Sequence, residues 1–599
     1  MIYHCEDHTC NYWDEGEKLP ERCPQCGRKL LRANEADMTG DDWTALGNTL
    51  WDAEASDKKR MVDCFRKAAY LGSAWGVCNL GICMEQGNGV EADPVQAFWL
   101  YQQAVEMGSL NAVCCLGVCY QYGIGTAPDA KQAAELYCKA AEYGSPRGQM
   151  LLARAFHDGI GVEADAAEAV HWVRAAAYQR YGEGMYRLGV CYEYGDGVEQ
   201  NWERAVHWFR EAAESGVGVA MTDLGYCYEK GCGVEQSWEQ AFSWYRRGAE
   251  CGDPVSMCNL GLCYQMGYGV EQNWQEAIKW YEQGAQCGNL QSMHNLACCY
   301  EGGEGVEQNE DRAFYWYRRS AECGNGSAMC NLGRCYKRGY GVEQNWQEAV
   351  KLYEQGAQCG NLQSMHNLAC CYEHGEGVEQ NMTEAIRWYT AAAEGGNADD
   401  MYELGWQYDH GEGVEQDMKK AICWYERAAE QNHPAAMNSL GECYAMGRGV
   451  PRDLETAMEW YRRAAELGEA MADYNMGWHL EQAGKLSEAY AHYRKAADGN
   501  DDSAWWALGR FYENGVVVAQ DGKEARRCYE TGEKLGSVKC KMRLARCKLL
   551  GIGGRRAKKA GLDLCRQALE LAKESSEKED YGYEAEMNLL RRTIAENES

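Results

Sequence analysis

Long hydrophobic runs are missing from this chain of 599 residues, in which nothing approaches 18 consecutive apolar residues. A membrane-spanning helix needs about 20 such residues, so we expect no membrane span. The first ten residues, MIYHCEDHTC, lack the basic region and apolar run of a signal peptide. The expected location is therefore cytoplasmic. Only eight prolines and no long polar tract are present, which argues against extended disorder.

Positive charge is also scarce. Lys and Arg together number 60 against 91 Asp and Glu, and the formal net charge is −31. Proteins that bind nucleic-acid backbones or anionic membranes in a general way present basic surfaces. We therefore expect neither nucleic acid nor a membrane as a partner. The excess of carboxylates is explained most simply as a well-solvated exterior.

Familiar catalytic motifs are absent too. The sequence has no H-E-x-x-H, no G-x-S-x-G and no P-loop. The G-x-G turns that recur along the chain follow no predicted strand and lack the lysine of a phosphate-binding loop. We predict that the protein is not an enzyme.

What the chain does have is a fixed period. A leucine recurs every 36 residues and opens a variant of the same phrase each time, and a period in this range is typical of a solenoid. The anchors are Leu80, Leu116, Leu152, Leu188, Leu224, Leu260, Leu296, Leu332, Leu368, Leu404 and Leu440. The predicted fold class is all-α, a superhelical α/α solenoid of about 15 two-helix repeats.

One repeat is read most easily from Leu260, which we number as offset zero. Apolar or small residues at offsets −3, 0, +1 and +4 lie on one stripe of a helix, here called helix A. Two glycines, Gly267 and Gly269, then predict a helix end and a tight turn with positive φ. Asn273 and Glu276 form a capping-box pattern that begins a second helix, helix B.

Helix B carries Ala277, Trp280, Tyr281 and Ala285 on one face. Two short helices cannot bury their apolar faces alone, so neighbouring repeats must stack. The stretches 268–309 and 340–381 differ at only three positions, which indicates a duplication of two repeats. A feature shared by those two copies can therefore reflect copying alone.

Cysteine is abundant, with 32 residues, and ten of them occupy offset +3. Equivalent positions of stacked helices are about 8–10 Å apart, too far for a disulfide. We expect these thiols to be small buried fillers in a reducing compartment. They are Cys83, Cys119, Cys191, Cys227, Cys263, Cys299, Cys335, Cys371, Cys443 and Cys547.

The repeat resembles the Sel-one-like repeat (SLR), a relative of the tetratricopeptide repeat. The pattern A-x2-LG-x2-Y-x2-G-x-G-V, then D/N-x3-A-x2-W-Y-x2-A-A-x2-G, reads nearly unbroken from Leu188 and covers roughly residues 40–555. The resemblance implies an α/α superhelix that binds or scaffolds other proteins, usually without catalysis. Secreted members carry a disulfide within most repeats. Here only a few repeats, such as Cys251/Cys258 and Cys323/Cys330, have a similar spacing.

The first 33 residues are different. Cys23-Pro24-Gln25-Cys26-Gly27 has the form of a metal knuckle, and Cys5 and Cys10 supply a second pair. Four thiolates suit a tetrahedral zinc or a single iron. The segment resembles a rubredoxin-like module, but its first pair is Cys-x4-Cys rather than Cys-x2-Cys, which favours zinc over iron. His4 or His8 could replace one cysteine, and four unliganded thiols are the alternative to a metal site.

These patterns divide the chain into four parts. Residues 1–33 form the metal-binding module, 38–75 a degenerate first repeat, 76–555 the regular Sel-one-like repeats, and 556–599 a C-terminal helical cap. Around Met476 the G-x-G-V turn is lost, which predicts a tighter turn at Ala483-Gly484-Lys485.

The partner is expected on the side of helix A that points away from the core, at offsets −1, +2 and +6. An apolar strip beside a row of amides suits an extended peptide. The alternative is that asparagine is a harmless exposed residue multiplied by duplication. The candidate residues are Asn259, Asn295, Asn331 and Asn367 at −1, and Ile82, Val118, Val190, Tyr226 and Leu262 at +2.

The function that we predict is a non-enzymatic scaffold that binds a protein or peptide in the concave groove, with zinc at its N-terminus. The alternative is a redox protein whose rubredoxin-like iron centre serves a docked partner. His294 with Cys298, and His366 with Cys370, have an i, i+4 spacing that could hold a metal. They lack further obvious ligands, so packing or surface placement is the favoured interpretation.

Overall fold

The structure, a computed structural model, describes residues 2–5, 13–15, 30–32, 38–51, 55–578 and 584–598. It divides into two units, residues 1–309 and 310–599, which we call unit 1 and unit 2. Unit 1 begins with three short strands, β1 (Ile2–Cys5), β2 (Trp13–Glu15) and β3 (Leu30–Arg32). Both β2 and β3 pair antiparallel with β1, which lies between them. The candidate metal ligands lie outside the described residues, except for the backbones of His4 and Cys5.

The other described residues of unit 1 form helices joined by short turns, and consecutive helices pack against one another. The helices are α1 (Gly40–Thr49), α2 (Ala55–Tyr70), α3 (Ala74–Gln86), α4 (Pro94–Glu106), α5 (Leu110–Tyr122), α6 (Ala130–Glu142), α7 (Pro146–Asp158), α8 (Ala166–Tyr178), α9 (Gly182–Tyr194), α10 (Trp202–Glu214), α11 (Gly218–Lys230), α12 (Trp238–Glu250), α13 (Pro254–Met266), α14 (Trp274–Gln286) and α15 (Leu290–Gly302).

Unit 2 continues the same pattern. Its helices are α16 (Glu310–Glu322), α17 (Gly326–Arg338), α18 (Trp346–Gln358), α19 (Leu362–His374), α20 (Met382–Glu394), α21 (Ala398–His410), α22 (Met418–Glu430), α23 (Pro434–Met446), α24 (Leu454–Glu466), α25 (Ala470–Gln482), α26 (Leu486–Asp498), α27 (Asp502–Asn514), α28 (Gly522–Lys534), α29 (Val538–Leu550), α30 (Lys558–Lys578) and α31 (Glu584–Glu598). The predicted α solenoid is confirmed, with odd-numbered helices as helix A and even-numbered ones as helix B through α30.

The core of a repeat is a tyrosine of helix B packed on the Leu-Gly pair of helix A. Leu260 and Tyr281 are fully buried, and the Tyr281 ring lies so close to Gly261 that a Cβ there would be 2.5 Å from a ring carbon. The Tyr281 hydroxyl donates a hydrogen bond to Oε1 of Gln265 at 2.6 Å. Glycine at offset +1 therefore permits the close approach of this ring, which the sequence pattern alone did not reveal, whereas other repeats carry a buried alanine there, as at Ala297 and Ala369.

The turn between the two helices explains its two glycines. Gly267 and Gly269 have φ of 75° and 69°, as predicted. A Cβ on Gly269 would also clash with the backbone carbonyl of Trp238 in the preceding repeat, so this glycine is needed for stacking as well as for turning. Gln272 then donates through Nε2 to the carbonyl of Gln265 at 2.7 Å, which satisfies the end of helix A.

The predicted start of helix B is also observed. The side chain of Asn273 accepts a hydrogen bond from the backbone N–H of Glu276, at 3.2 Å, and the same cap recurs at Asn345 and Asn381. Ala277, Tyr281 and Ala285 are buried as expected, whereas Trp280 is only half-buried.

Two further expectations concern cysteine and the irregular turn. Nine of the ten cysteines at offset +3 are buried, with Cys191 half-buried, and every cysteine whose side chain is described is a free thiol. Helix α25 ends at Gln482 and α26 begins at Leu486, so the predicted tight turn at 483–485 is confirmed. Among the described residues, no helix combines the length and apolarity needed to cross a membrane.

Candidate partner-binding surface

The surface of interest is formed by offsets −1 and +2 of successive A helices, and we call it the A face. Offset 0 is buried throughout, whereas the candidate residues at +2 are half-buried to exposed. In unit 1 Ile82, Val118 and Val190 are half-buried, and Tyr226 and Leu262 are 44% and 40% exposed. The structure thus leaves an apolar row partly open to solvent along unit 1.

The asparagines at −1 fall into two groups. Asn295 donates through Nδ2 towards Cys258 Sγ at 3.8 Å and accepts from Gln291 at 2.9 Å. Asn367 donates in the same way to Cys330 Sγ at 3.3 Å. The side chains of Asn259 and Asn331 form no hydrogen bond with any residue that the structure describes. Of the four, only this second pair therefore has all of its amide groups available to a partner.

Offset −1 links neighbouring repeats elsewhere as well. Asn79 donates to Oδ1 of Asn48 at 2.8 Å, and Asn475 donates to Oδ1 of Asn438 at 3.0 Å. These contacts join one A helix to the A helix of the preceding repeat. Sequence reasoning missed this structural use, although the repeated occurrence of asparagine was the available signal.

A cavity of about 550 Å³ opens on the A face of unit 1, among helices α7, α8 and α9. Its lining combines apolar groups, such as Leu151 and Val190, with the guanidinium groups of Arg147, Arg154 and Arg187. Leu151 and Arg187 occupy offset −1, and Arg154 and Val190 occupy offset +2. The cavity therefore lies among the positions that the helical geometry assigns to the partner.

One wall of this cavity is a charged cluster around His157. Its Nδ1 is 2.7 Å from Oδ1 of Asp158, and its Nε2 is 3.2 Å from Oδ2 of Asp196. The hydrogen bond with Asp158 raises the pKa of His157, and the same bond lowers the pKa of Asp158. Arg154 also pairs with Asp158, at 3.3 Å. Apart from this cluster, Arg147 donates to Oδ1 of Asn111 at 2.6 Å.

No group of three or more His, Cys, Asp or Glu side chains in the described part of the chain is arranged to hold a metal ion. The two i, i+4 pairs are formed as the spacing suggests. Cys298 Sγ lies 3.6 Å from Nε2 of His294, and Cys370 Sγ lies 3.6 Å from Nε2 of His366. His366 also contacts a carboxylate that the sequence did not indicate, Asp400, at 2.8 Å.

Helix pairs stacked at a fixed period, with one face of the A helices open, define an α-solenoid repeat protein. The Sel1 repeat family matches thirteen consecutive segments between residues 76 and 537, from 76–109 to 504–537. The chain belongs to the Sel1 repeat family.

One similar solved structure agrees with this assignment. A protective antigen present in uropathogenic Escherichia coli strains, which displays an SLR fold, is 32% identical, and the match covers 75% of this chain and 97% of that one with a TM-score of 0.53. A Sel1 repeat protein from Oxalobacter formigenes is 31% identical over 41% of this chain and 96% of its own, with a TM-score of 0.38. No curated protein matches this chain.

Proposed function

We propose that this protein is a non-enzymatic scaffold that binds a partner protein or peptide along the A face of unit 1. The observation that carries the proposal is the cavity among α7, α8 and α9, because residues at offsets −1 and +2, such as Leu151 and Val190, contribute to its lining. The Sel1 repeat fold is generally one that serves protein interaction, which supports the same function. The cytoplasmic location stays a prediction.

The lining of the cavity suggests the chemistry of the partner. Leu151 and Val190 offer apolar contacts, and the guanidinium group of Arg187 lies beside them. An extended peptide with an apolar side chain next to an acidic one would bury the first and pair the second. Farther along, Tyr226 and Leu262 would receive further apolar side chains, and Asn259 would bind main-chain groups.

The experiment is a binding assay with a matched control. A partner captured from the native cell, or a peptide array, supplies the ligand. Tyr226→Ser and Leu262→Ser should each weaken binding by about 1–2 kcal/mol, since each removes a partly exposed apolar contact. Tyr143→Ser removes a tyrosine that is 69% exposed at the end of α6, a helix B, and should leave affinity unchanged. Equal losses in both kinds of variant would contradict the proposal.

We also propose that Cys5, Cys10, Cys23 and Cys26 bind one zinc ion. The cysteine spacing supports this, and the strands fit it, since Cys5 ends β1, Cys10 lies between β1 and β2, and the knuckle lies between β2 and β3. Metal analysis should find about one zinc per chain, and serine at all four positions should abolish it. A red protein that contains iron would instead favour the redox function, and metal retained by the four-serine variant would exclude these ligands.

A further inference from the structure

The cavity among α7, α8 and α9 lies in a repeat that lacks an aromatic ring in its core. Offset +21 lies on helix B, and in the repeats from Leu80 to Leu440 it carries a buried aromatic residue with one exception. The exception is Val173, in the repeat that contains the cavity, so a ring is missing there. The aromatic residues at this offset are Tyr101, Tyr137, Phe209, Tyr245, Tyr281, Tyr317, Tyr353, Tyr389, Tyr425 and Tyr461.

The positions that surround this ring in other repeats line the cavity in this one. The Tyr281 ring packs on Gly261 at offset +1, and its hydroxyl donates a hydrogen bond to Gln265 at offset +5. In the repeat that contains the cavity, the same two offsets carry Ala153 and His157, and both line the cavity. The cavity, of about 550 Å³, therefore includes the space that an aromatic ring at offset +21 fills elsewhere.

The buried part of the cavity lining is apolar, and the exposed part is polar. The buried residues of the lining are Ala153, Ala169, Val170 and Val173. Apolar cavities of about 150 Å³ are large enough to bind benzene. His157 and Arg187, which also line the cavity, are exposed. A ring that enters from the A face would therefore meet apolar groups at its tip and polar groups where it joins its main chain.

The charged groups of the lining favour an acidic residue beside that ring. Asp158 and Asp196 contact His157 at 2.7 and 3.2 Å, and Glu183 accepts a hydrogen bond from a tyrosine hydroxyl at 3.5 Å. Arg187 is the one charged side chain of the lining that forms no hydrogen bond or ion pair with any residue in the described part of the chain. A carboxylate of the partner would give this guanidinium group a charged acceptor.

We propose that the cavity binds a phenylalanine side chain of the partner, next to an acidic residue that pairs with Arg187. This inference rests on the proposed function and specifies which partner residue enters the cavity. Aromatic side chains seated in pockets commonly contribute much of the binding energy of an interface. Phenylalanine fits better than tyrosine, because a hydroxyl at the tip of the ring would be buried beside Val170 and Val173 without a hydrogen bond.

A series of peptides on the wild-type chain provides the first test. The probe is the acetylated and amidated peptide Gly-Ser-Phe-Asp-Ser-Gly, and surface plasmon resonance with the immobilised full-length chain measures its affinity. Alanine in place of phenylalanine should weaken binding about tenfold or more, and tyrosine about tenfold. Lysine in place of aspartate should weaken binding about fivefold, and added salt should reduce this difference. Equal affinities for the phenylalanine, tyrosine and alanine peptides would overturn the proposal.

Val173→Tyr restores the missing ring and provides the second test. A tyrosine at offset +21 is compatible with alanine at offset +1, since Ala369 and Tyr389 are buried in the same core cluster. The variant should bind the phenylalanine peptide at least about tenfold more weakly, because its own ring occupies the cavity. Its melting temperature should be unchanged or higher. Phe209→Tyr, at the same offset of the next repeat, adds a hydroxyl at a residue that does not line the cavity and should leave affinity unchanged.

The outcomes separate this inference from the proposed function. Undiminished peptide binding by a folded Val173→Tyr chain would overturn the inference, and if the variant does not fold, the peptide series on the wild-type chain decides. Weaker partner binding in Tyr226→Ser and Leu262→Ser, with full partner binding in Val173→Tyr, would keep the A face as the binding surface and overturn the role of the cavity. Full partner binding in all three variants would overturn both proposals.

Discussion

The two units share the same repeat, but the side chains on their A faces differ in chemical character. In unit 1 the +2 positions include Ile82, Val118, Val190, Tyr226 and Leu262. In unit 2 the corresponding positions carry Arg334, Cys370, Trp406, Glu442, Trp478, Arg510 and Arg546. The first row is largely aliphatic and aromatic, and the second is largely charged or polar. The helices that present them all have 13 residues, so the difference lies in their side chains rather than in their length.

Many charged side chains of unit 2 form ion pairs with other residues of the same unit. Arg510 pairs with Glu481 at 2.7 Å and Arg448 with Asp409 at 3.0 Å. Arg543 bridges Glu513 and Glu586, and Arg546 also pairs with Glu513. Charges that are paired in this way are less available to a partner, whereas the apolar row of unit 1 gains free energy only when something covers it. This difference supports the proposal that a partner binds along the A face of unit 1.

Replacing the buried tyrosine should have the largest effect, and it should be equal in the two units. Tyr281 in unit 1 and Tyr461 in unit 2 are both buried, each against a glycine of helix A. Tyr281→Ala and Tyr461→Ala should each lower the free energy of unfolding of the surrounding repeats by about 3–5 kcal/mol, because each leaves a large cavity. Hydrogen exchange in urea, resolved by peptide, measures this locally. A loss confined to one unit would show that the cores differ as well as the faces.

Neutralising a carboxylate at offset +5 should lower the free energy of unfolding more in unit 2 than in unit 1. Glu513 in unit 2 and Glu229 in unit 1 both stand at offset +5 and both accept a hydrogen bond from a helix-B tyrosine at 2.8 Å. The side chain of Glu513 also faces two arginines and is 9% exposed, whereas the one ion pair of Glu229 among the described residues is with Lys230, whose side chain is 50% exposed. Glu513→Gln should cost about 2–4 kcal/mol and Glu229→Gln about 1 kcal/mol or less. Chemical denaturation of both variants measures the two losses in the free energy of unfolding. Equal losses would show that the ion pairs of Glu513 add no stability beyond that of Glu229.

A half-buried carboxylate in unit 2 should make the stability of this unit depend on pH. Asp501 caps α27 by accepting from the N–H of Ala504 at 2.7 Å, and burial raises its pKa to about 6. Because the folded pKa exceeds the unfolded value of about 3.9, folding takes up a proton between these values, and stability falls as the pH rises through them.

The variant that tests this is Asp501→Asn, which retains the cap without the charge. It should stabilise unit 2 by about 1–3 kcal/mol at pH 7 and by almost nothing near pH 4. The matched control is Ser145→Asn, at the equivalent cap of α7 in unit 1, which should change little at either pH. Melting curves at the two pH values provide the measurement, and a pH-independent gain would refute the role of the carboxyl charge.

The smallest effect should distinguish two asparagines of unit 1. Asn295 is tied to Cys258 and Gln291, so Asn295→Ala should lower stability by about 0.5–1 kcal/mol. Asn259 has no such contact, and Asn259→Ala should leave the melting temperature unchanged while weakening partner binding by about 0.5–1.5 kcal/mol. Calorimetry of both variants with and without the partner separates the two roles. An unchanged affinity for Asn259→Ala would move the binding surface away from this residue.

Much of the repeat could be predicted because its signals are local. Gly267 and Gly269, the cap at Asn273, and the shortened turn at 483–485 all depend on residues within one helix or one turn. The open row at Tyr226 and Leu262 followed from helix periodicity. The cavity among α7, α8 and α9 could not be predicted in the same way, since it depends on how three helices meet.

The sequence by itself determined the period, the pairing of short helices and the side of helix A that faces the core, because each is set within about 36 residues. The tertiary structure decided what depends on contacts between repeats. Only the stacking of repeats brings Asp400 into contact with His366 and places Gly269 against the carbonyl of Trp238. Stacking also determines which asparagines at offset −1 form a hydrogen bond with the preceding repeat, as Asn295 does with Cys258. Such contacts join residues 31–37 positions apart in the sequence. Their distances follow from the angle at which one repeat packs on the next, which no local pattern of residues encodes.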